Sequence, residues 1–370
     1  MNIAIDLLWL RPSKVGGTES YTRNLLDGLS SLEDEFEFTL VVSKNVEESF
    51  RKYTEDSRFH ILVVNIDNSN IGRRILWQFM HQNHFLRKND IRHCFVPVYC
   101  RPIFNGGVKY INVIHDIQAY HYPQYHPFYE VWYSKLMWLC DRLFDSATLC
   151  TTQFVKDDIV RVYKFNPDKV SVINIPILID KGAVVSFDEI KDAYKLDRYG
   201  YYYTVCQLIP HKNLKTLIEA FKYIRDNSID LPNKLIISGV NGNAADELRT
   251  KLEELKLQDD IILTGFVSNE MRNTLYKYCK AFLFPSVFEG FGMPPLEAMF
   301  FGRPVLTTKC ASIPEVTMNK ANYVDNPYDT VEWVSKLQNL DENTCEMDFS
   351  KYDATYLAKE NLNLLNSILG

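Results

Sequence analysis

Short apolar runs alternate with amphipathic stretches through the first half of the chain, at the spacing of strand–helix units built around a parallel sheet. The predicted strands are Ile3–Asp6, Phe38–Val42, Ile61–Asn65, His93–Val96, Tyr110–Ile114, Ser146–Cys150 and Val170–Ile173. Helical periodicity fills the gaps at Thr18–Leu32, Arg73–Arg87, Tyr129–Phe144 and Thr152–Tyr163. Between Asn174 and Gly200 the pattern lapses around Pro176, which marks a domain junction. It then restarts with strands at Tyr201–Cys206, Lys234–Ser238, Ile261–Leu263, Ala281–Phe284 and Pro304–Thr307. Helices are expected at Leu214–Asp226 and Ala244–Leu255, and from about Ser268 and Met293 onward. The pattern predicts an α/β chain of two doubly wound, Rossmann-like domains, residues 1–175 and 176–352. A last helix within 353–370 is expected to pack back on the first domain. Two such domains facing across a central cleft would gather the carboxyl ends of both sheets, where folds of this kind bind ligands.

Composition narrows the function without naming it. A length of 370 residues suits two domains, and 46% hydrophobic with 24% charged residues is ordinary for a globular protein. A net charge of −6 disfavours nucleic acid as a partner. The eight cysteines form no Cys-x-x-Cys pair, so they read as reduced thiols in a cytoplasmic protein. No apolar run approaches the roughly 18 residues that a membrane span needs, so any membrane contact is expected to be peripheral. One stretch invites such contact. Ile71–Lys88 combines Ile75, Leu76, Trp77, Phe79 and Met80 with Arg73, Arg74, Arg87 and Lys88, and such a basic amphipathic helix can lie on an anionic bilayer. Packing on its own sheet is the competing reading.

The chemistry concentrates in Glu289-Gly290-Phe291-Gly292-Met293-Pro294-Pro295-Leu296-Glu297, between a predicted strand and a predicted helix. Two prolines in sequence are tolerated only in a first helical turn, where amide hydrogens have no intrahelical partner. The glycines let a ligand approach the backbone, and the helix start offers amides and a positive dipole end to an anion. Two acids cannot ligate phosphate, but they suit the hydroxyls of a ribose and a sugar. Carboxylates near a helix start also stabilise any helix, which is the plainer explanation.

Taken with this motif, Gly16-Gly17-Thr18-Glu19, His115-Asp116, Pro210-His211-Lys212-Asn213, Gly302-Arg303-Pro304-Val305 and Ser312-Ile313-Pro314-Glu315-Val316 follow one another in the order of a known family. The chain resembles glycosyltransferase family 4, whose members adopt the two-domain GT-B fold and are retaining enzymes. By that resemblance Glu297 binds the ribose hydroxyls of the nucleotide. Glu289 lies near the transferred sugar and its leaving oxygen, and the backbone of Phe291, Gly292 and Met293 approaches the diphosphate and sugar. Lys212 pairs with the diphosphate. By itself it reads as a solvated lysine before a helix capped by Asn213. Gly16 and Gly17 belong to a loop closing over the reacting groups, with Arg11 and Glu19 near the acceptor. His115 binds the donor sugar and stabilises the transition state, while Asp116 orients it or caps the segment after it. Many members carry a second cation beside the lysine, where this chain has Gln207 and His211; His211, Arg303 and Lys309 are candidates to replace it.

No Asp-x-Asp metal anchor, Walker loop or Gly-x-Gly-x-x-Gly occurs. The resemblance therefore implies metal-independent catalysis without a cofactor, with a nucleotide diphosphate sugar as donor substrate and charge stabilisation by Lys212 and backbone amides. The His115–Pro127 segment looks like that of bacterial enzymes extending surface polysaccharides such as lipopolysaccharide, many of which use GDP-mannose. The expected reaction is hexose transfer to a glycan or lipid-linked glycan at the inner membrane face. A nucleotide-sugar hydrolase or epimerase, or a silent nucleotide-sugar-binding module, would share the same fold.

Overall fold

A computed structural model describes residues 2–12, 16–33, 36–342 and 348–369. The chain divides into two compact units, residues 1–178 with 350–370, and residues 179–349. Sequence pattern alone sets the first boundary at 175 and begins the returning segment at 353. Hydrogen bonds account for the longer first unit: Asn24 Nδ2 donates to Pro176 O at 2.8 Å, and Ile177 N donates to Tyr352 O at 2.9 Å.

The first unit is built on strands β1 (Asn2–Asp6), β2 (Glu37–Ser43), β3 (Phe59–Val64), β4 (His93–Val96), β5 (Lys109–Ile114), β6 (Ala147–Cys150) and β7 (Val170–Val172). They form one seven-stranded sheet in the order β3-β2-β1-β4-β5-β6-β7, and every pair is parallel. The second unit holds β8 (Tyr201–Val205), β9 (Lys234–Ser238), β10 (Ile261–Gly265), β11 (Ala281–Phe284), β12 (Val305–Thr308) and β13 (Asn322–Val324). Its six-stranded sheet runs β10-β9-β8-β11-β12-β13, again wholly parallel. Both are doubly wound α/β sheets with the strand order reversing beside the first strand, which is where ligands bind in such folds.

Parallel sheets carry helices on both faces, so their strands are buried throughout. In β8, Tyr202 points into one apolar cluster with Leu217, Phe221 and Trp333. Tyr201 and Tyr203 point into the other, with Tyr276, Phe282 and Met299. Several elements escape the sequence pattern, among them the helix Thr330–Gln338. A 3-10 run covers Lys44–Glu55, a helix capped by Ser186 covers Phe187–Tyr194, and β13 spans three residues of mixed polarity. The seven described cysteines are free thiols, and Cys345 lies outside the described residues. Among the described residues no helix is long and apolar enough to cross a membrane.

The last helix, Ala354–Leu369, belongs to the first unit and packs on the helix Gly17–Ser30. A glycine inside a helix costs stability relative to alanine, and Gly28 repays it in space. A Cβ there would sit 2.6 Å from the carbonyl oxygen of Ala354 and 3.1 Å from the Cβ of Ala358. Gly28→Val should therefore push the two helices apart and lower stability by about 1–3 kcal/mol, read as a fall in the denaturation midpoint. An unchanged midpoint would contradict this packing.

Candidate active site

The second unit brings two loops together at the carboxyl edge of its sheet. One follows β8 and contains a 3-10 turn, Pro210–Lys212; the other follows β11 and runs from Ser286 to Gly292. Their backbones are joined, since Val287 N and Ser286 Oγ both donate to His211 O, at 2.9 and 3.3 Å. Thr308 Oγ1 donates to Ser286 O at 2.6 Å from β12. Ser312 Oγ reaches the carbonyls of Glu289 at 2.8 Å and Phe291 at 3.1 Å.

Across this junction Lys212 Nζ meets Glu289 Oε1 at 2.5 Å, with both side chains largely buried. The same ammonium lies over the Phe284 ring at 5.7 Å. Asn213 departs from the sequence expectation. It sits in the left-handed region at φ 52° and its side chain caps nothing; Nδ2 instead donates to Pro327 O at 2.8 Å. Asn tolerates that conformation better than most residues, and the reversal aims Lys212 at Glu289.

Gly292, at φ 86°, starts the helix Met293–Phe300, in whose first turn Pro294 and Pro295 stand. Phe291 is buried beneath the turn. The first-turn amides and the helix dipole face the edge of the sheet where Lys212 lies, an arrangement that attracts an anion. Glu297 is also buried, and its Oε2 accepts a 2.8 Å hydrogen bond from Tyr276 OH. Two carboxylate oxygens have room for further donors, so Glu297 keeps acceptor capacity for a pair of hydroxyls.

The three candidate replacement cations fall at different places in the second unit. Arg303 lies at the amino edge, just before β12, stacked 5.1 Å from the Tyr199 ring. Strand direction, invisible in a linear motif, puts it at the wrong end. Lys309 follows β12 at the carboxyl edge but pairs with Asp325 at 2.6 Å. His211 is buried, and its backbone carbonyl is the junction between the loops. A further cation, absent from the sequence reading, is Arg272, in the helix Asn269–Tyr278 after β10. The charge of Glu297 raises its pKa above the usual guanidinium value, and its Nε is buried without a hydrogen-bond partner. No motif marks it in sequence; its nearness to Glu297, which also accepts from Tyr276 OH, is seen only in three dimensions.

The first unit has its own cluster at the carboxyl edge. Gly16 adopts φ 61°, ψ −133°, a conformation natural only to glycine, and Gly17 opens the helix Gly17–Ser30. A Cβ at either glycine would touch nothing within 4 Å. The preceding loop is anchored by Asp6 at the end of β1. Asp6 accepts from Leu8 N at 2.9 Å, Gln78 Nε2 at 3.1 Å and Gln82 Nε2 at 2.7 Å. Burial raises its pKa, against the pull of those hydrogen bonds. Asn68 Nδ2 donates to the Leu8 and Leu10 carbonyls, while Ser13–Val15 lie outside the described residues. Arg11 is half-buried at the end of this run, and Glu19 is paired with Arg23 at 2.9 Å.

His115 ends β5 within reach of the same helix, its ring edge-on to Tyr21 at 5.0 Å. Nε2 lies 2.8 Å from Pro97 O; a carbonyl can only accept, so Nε2 carries the proton and Nδ1 presents a lone pair. Burial lowers the pKa to about 4, opposed by that hydrogen bond. Asp116 does not orient the imidazole: its Oδ1 accepts from Gln118 N at 2.8 Å and caps the next turn.

Comparison with known proteins settles the family. "Glycosyltransferase Family 4" matches residues 15–180, and "Glycosyl transferases group 1" matches residues 186–352. The chain belongs to the family 4 glycosyltransferases. Similar relatives include the O-antigen chain mannosyltransferase RfbU of Salmonella typhimurium, 30% identical over 66% of this chain and 64% of the relative. The O-antigen chain mannosyltransferase B of Escherichia coli is 30% identical over 59% and 58%. The matches thus span less than two thirds of either relative's length. Among solved structures, Anabaena Alr3699/HepE in complex with UDP and glucose superposes with a TM-score of 0.73 at 15% identity, covering 99% of this chain and 100% of that one. Both units are therefore the Rossmann-like domains of a GT-B fold.

The geometry of His115 in this family 4 chain gives a direct expectation. Its imidazole should remain neutral through pH 6 and titrate at about 4, seen as a late shift of its Cε1 proton in NMR. The unfolded chain binds a proton near the ordinary value of about 6.5. The stability that neutral burial contributes is thus complete above pH 6.5 and is lost as the pH falls toward 4. A folded-state pKa at or above 6.5 would contradict the assignment.

Proposed function

We propose that the chain is a retaining, metal-independent hexosyltransferase. It would move a sugar from a nucleotide diphosphate donor to a glycan, or lipid-linked glycan, at the cytoplasmic face of the inner membrane. The observation that carries this reading is the 2.5 Å contact between Lys212 Nζ and Glu289 Oε1, beside the helix that Gly292 starts. A cation already held by a carboxylate, next to first-turn helix amides, is suited to a diphosphate whose charge grows as its bond breaks.

In this reading the second unit takes the donor. The amides of Phe291, Gly292 and Met293 and the Lys212 ammonium hold the diphosphate, and Glu297 accepts the ribose hydroxyls. The His211 carbonyl keeps the two loops in register. The bond from the sugar C1 to the diphosphate oxygen breaks with its electron pair leaving on that oxygen. The acceptor hydroxyl attacks C1 from the same face, and its proton passes to the departing oxygen. Glu289 stabilises the sugar through its hydroxyls. His115, neutral, accepts a sugar hydroxyl at Nδ1 and is not the base, because a group titrating at about 4 removes protons poorly from an alcohol. Gly16 and Gly17 of the first unit offer open backbone to the acceptor or a phosphate.

GDP-mannose is the donor we favour, supported by the two O-antigen mannosyltransferases among the relatives. UDP-hexoses and dTDP-rhamnose compete with it. A thermal-shift panel of GDP, UDP, dTDP, ADP and CMP in EDTA should single out one base. At 100 times its dissociation constant that nucleotide adds about 2.7 kcal/mol of stability. Glu297→Ala should lose this shift, and Glu289→Ala should lose sugar transfer in an assay of the glycosylated product. A donor split to free sugar as fast without acceptor as with it would instead mark a hydrolase, and full transfer by Glu289→Ala would remove that residue from the site.

A further inference from the structure

The helix Phe128–Phe144 of the first unit is apolar on both sides. Its inner face is accounted for, with Val131 and Trp138 in the core with Ile114, Ile117 and Val155. Its outer face is not. Phe128 is 78% exposed, Tyr129 70%, Trp132 62% and Leu143 56%, with Leu136 and Leu139 also exposed. The spacing 128, 132, 136, 139, 143 follows one side of a helix for about 22 Å. Single exposed leucines need no explanation, but a continuous stripe ending in three large aromatics marks a contact surface.

The helix Ile71–Lys88 lies beside it, close enough for its Arg74 to interact electrostatically with Tyr133. Sequence pattern leaves that helix between lying on a bilayer and packing on its own sheet. The structure shares the role differently, because Trp77 and Phe85 pack inward edge to face at 5.4 Å and Arg74 is buried. What the helix leaves outside is Leu76 at 58%, Met80 at 67%, and the exposed Arg73, Arg87 and Lys88.

Charge identifies the occupant. The exposed charged groups of the two helices are five cations, Arg73, Arg87, Lys88, Lys135 and Arg142, and one carboxylate, Glu130, on a chain whose net charge is −6. A second copy of the chain meeting this face symmetrically would set Lys135 and Arg142 against like charges. An anionic lipid surface complements both features: aromatic and leucine side chains enter the headgroup boundary while lysine and arginine meet the phosphates. We propose that the outer face of the Phe128–Phe144 helix, flanked by Leu76 and Met80, docks on an anionic phospholipid bilayer. The helix follows β5 and His115 in the chain after two short helical turns, Gln118–His121 and Pro123–Tyr125, so docking would tether that strand end to the lipid surface.

Flotation of the full chain with vesicles tests this without donor or acceptor, so the outcome is independent of the proposed transfer. Phosphatidylcholine vesicles containing about one third phosphatidylglycerol should bind at least tenfold more protein than phosphatidylcholine alone, and less as salt rises. The exposed pair Trp132→Ser with Leu136→Ser should reduce binding to anionic vesicles at least tenfold. Lys135→Glu with Arg142→Glu should do the same, at roughly fivefold or more for each cation. Both double variants should keep the wild-type melting midpoint, since all four side chains are exposed. Equal binding of wild type and either folded variant overturns the proposal, as does failure of the wild type to bind anionic vesicles. A wild-type dimer that Trp132→Ser with Leu136→Ser converts to monomer, with no vesicle binding, would assign the face to a second copy instead.

Discussion

The contact between Lys212 and Glu289 is the interaction on which the chemistry proposed for the second unit turns. Two opposite charges with little access to water stay together because each would be costly alone; removing one partner of a buried pair typically costs about 3–5 kcal/mol. The pair also bridges two loops that follow different strands, so it holds the geometry of the edge while nothing else is bound. A diphosphate offers Lys212 a second partner of larger charge. In the proposed reading the ion pair is both a brace for the resting site and a charge available to a ligand, and the hydrogen bonds made by the His211 carbonyl and the Ser312 and Thr308 hydroxyls would keep the loops in place during the exchange.

That arrangement follows from an older constraint, the parallel strand. When every strand runs one way, the loops leaving their carboxyl ends and the helices starting after them share one edge. Glu289, the Gly292 turn, Lys212, Arg272 and Lys309 all lie at that edge of the second sheet, as Gly16 and His115 do in the first. Arg303, a few residues from the strongest motif in sequence, lies at the other edge. Sequence proximity misleads there because the helix Met293–Phe300 carries the chain back along the sheet before β12 begins.

Much of this is legible in the residues. Both doubly wound domains emerge from alternating apolar and amphipathic stretches, and the Gly-Met-Pro-Pro turn with its two acids falls where expected, after β11 and at the start of a helix. The features that stay hidden depend on three dimensions. β13 is short and half polar, so no run announces it. Asn213 resembles a cap, and only its left-handed backbone shows it turning Lys212 toward Glu289. Arg272 carries no motif, and its place beside Glu297 is seen only in three dimensions. The Phe128–Phe144 helix carries large apolar residues on both sides, a pattern that ordinarily means a buried helix; exposure, absent from sequence, separates its two faces.

The central claim is that Glu289 and a diphosphate compete for Lys212, and calorimetric titration tests it most directly. The preferred nucleoside diphosphate would be titrated in EDTA into wild type, Lys212→Gln and Glu289→Gln. Loss of a charge-assisted contact in Lys212→Gln should weaken binding by about tenfold or more. Glu289→Gln, which frees the ammonium, should bind as tightly as wild type or tighter. If Glu289→Gln weakens binding as much as Lys212→Gln does, or if Lys212→Gln binds like wild type, the ion pair is structural only and the account of the site is wrong.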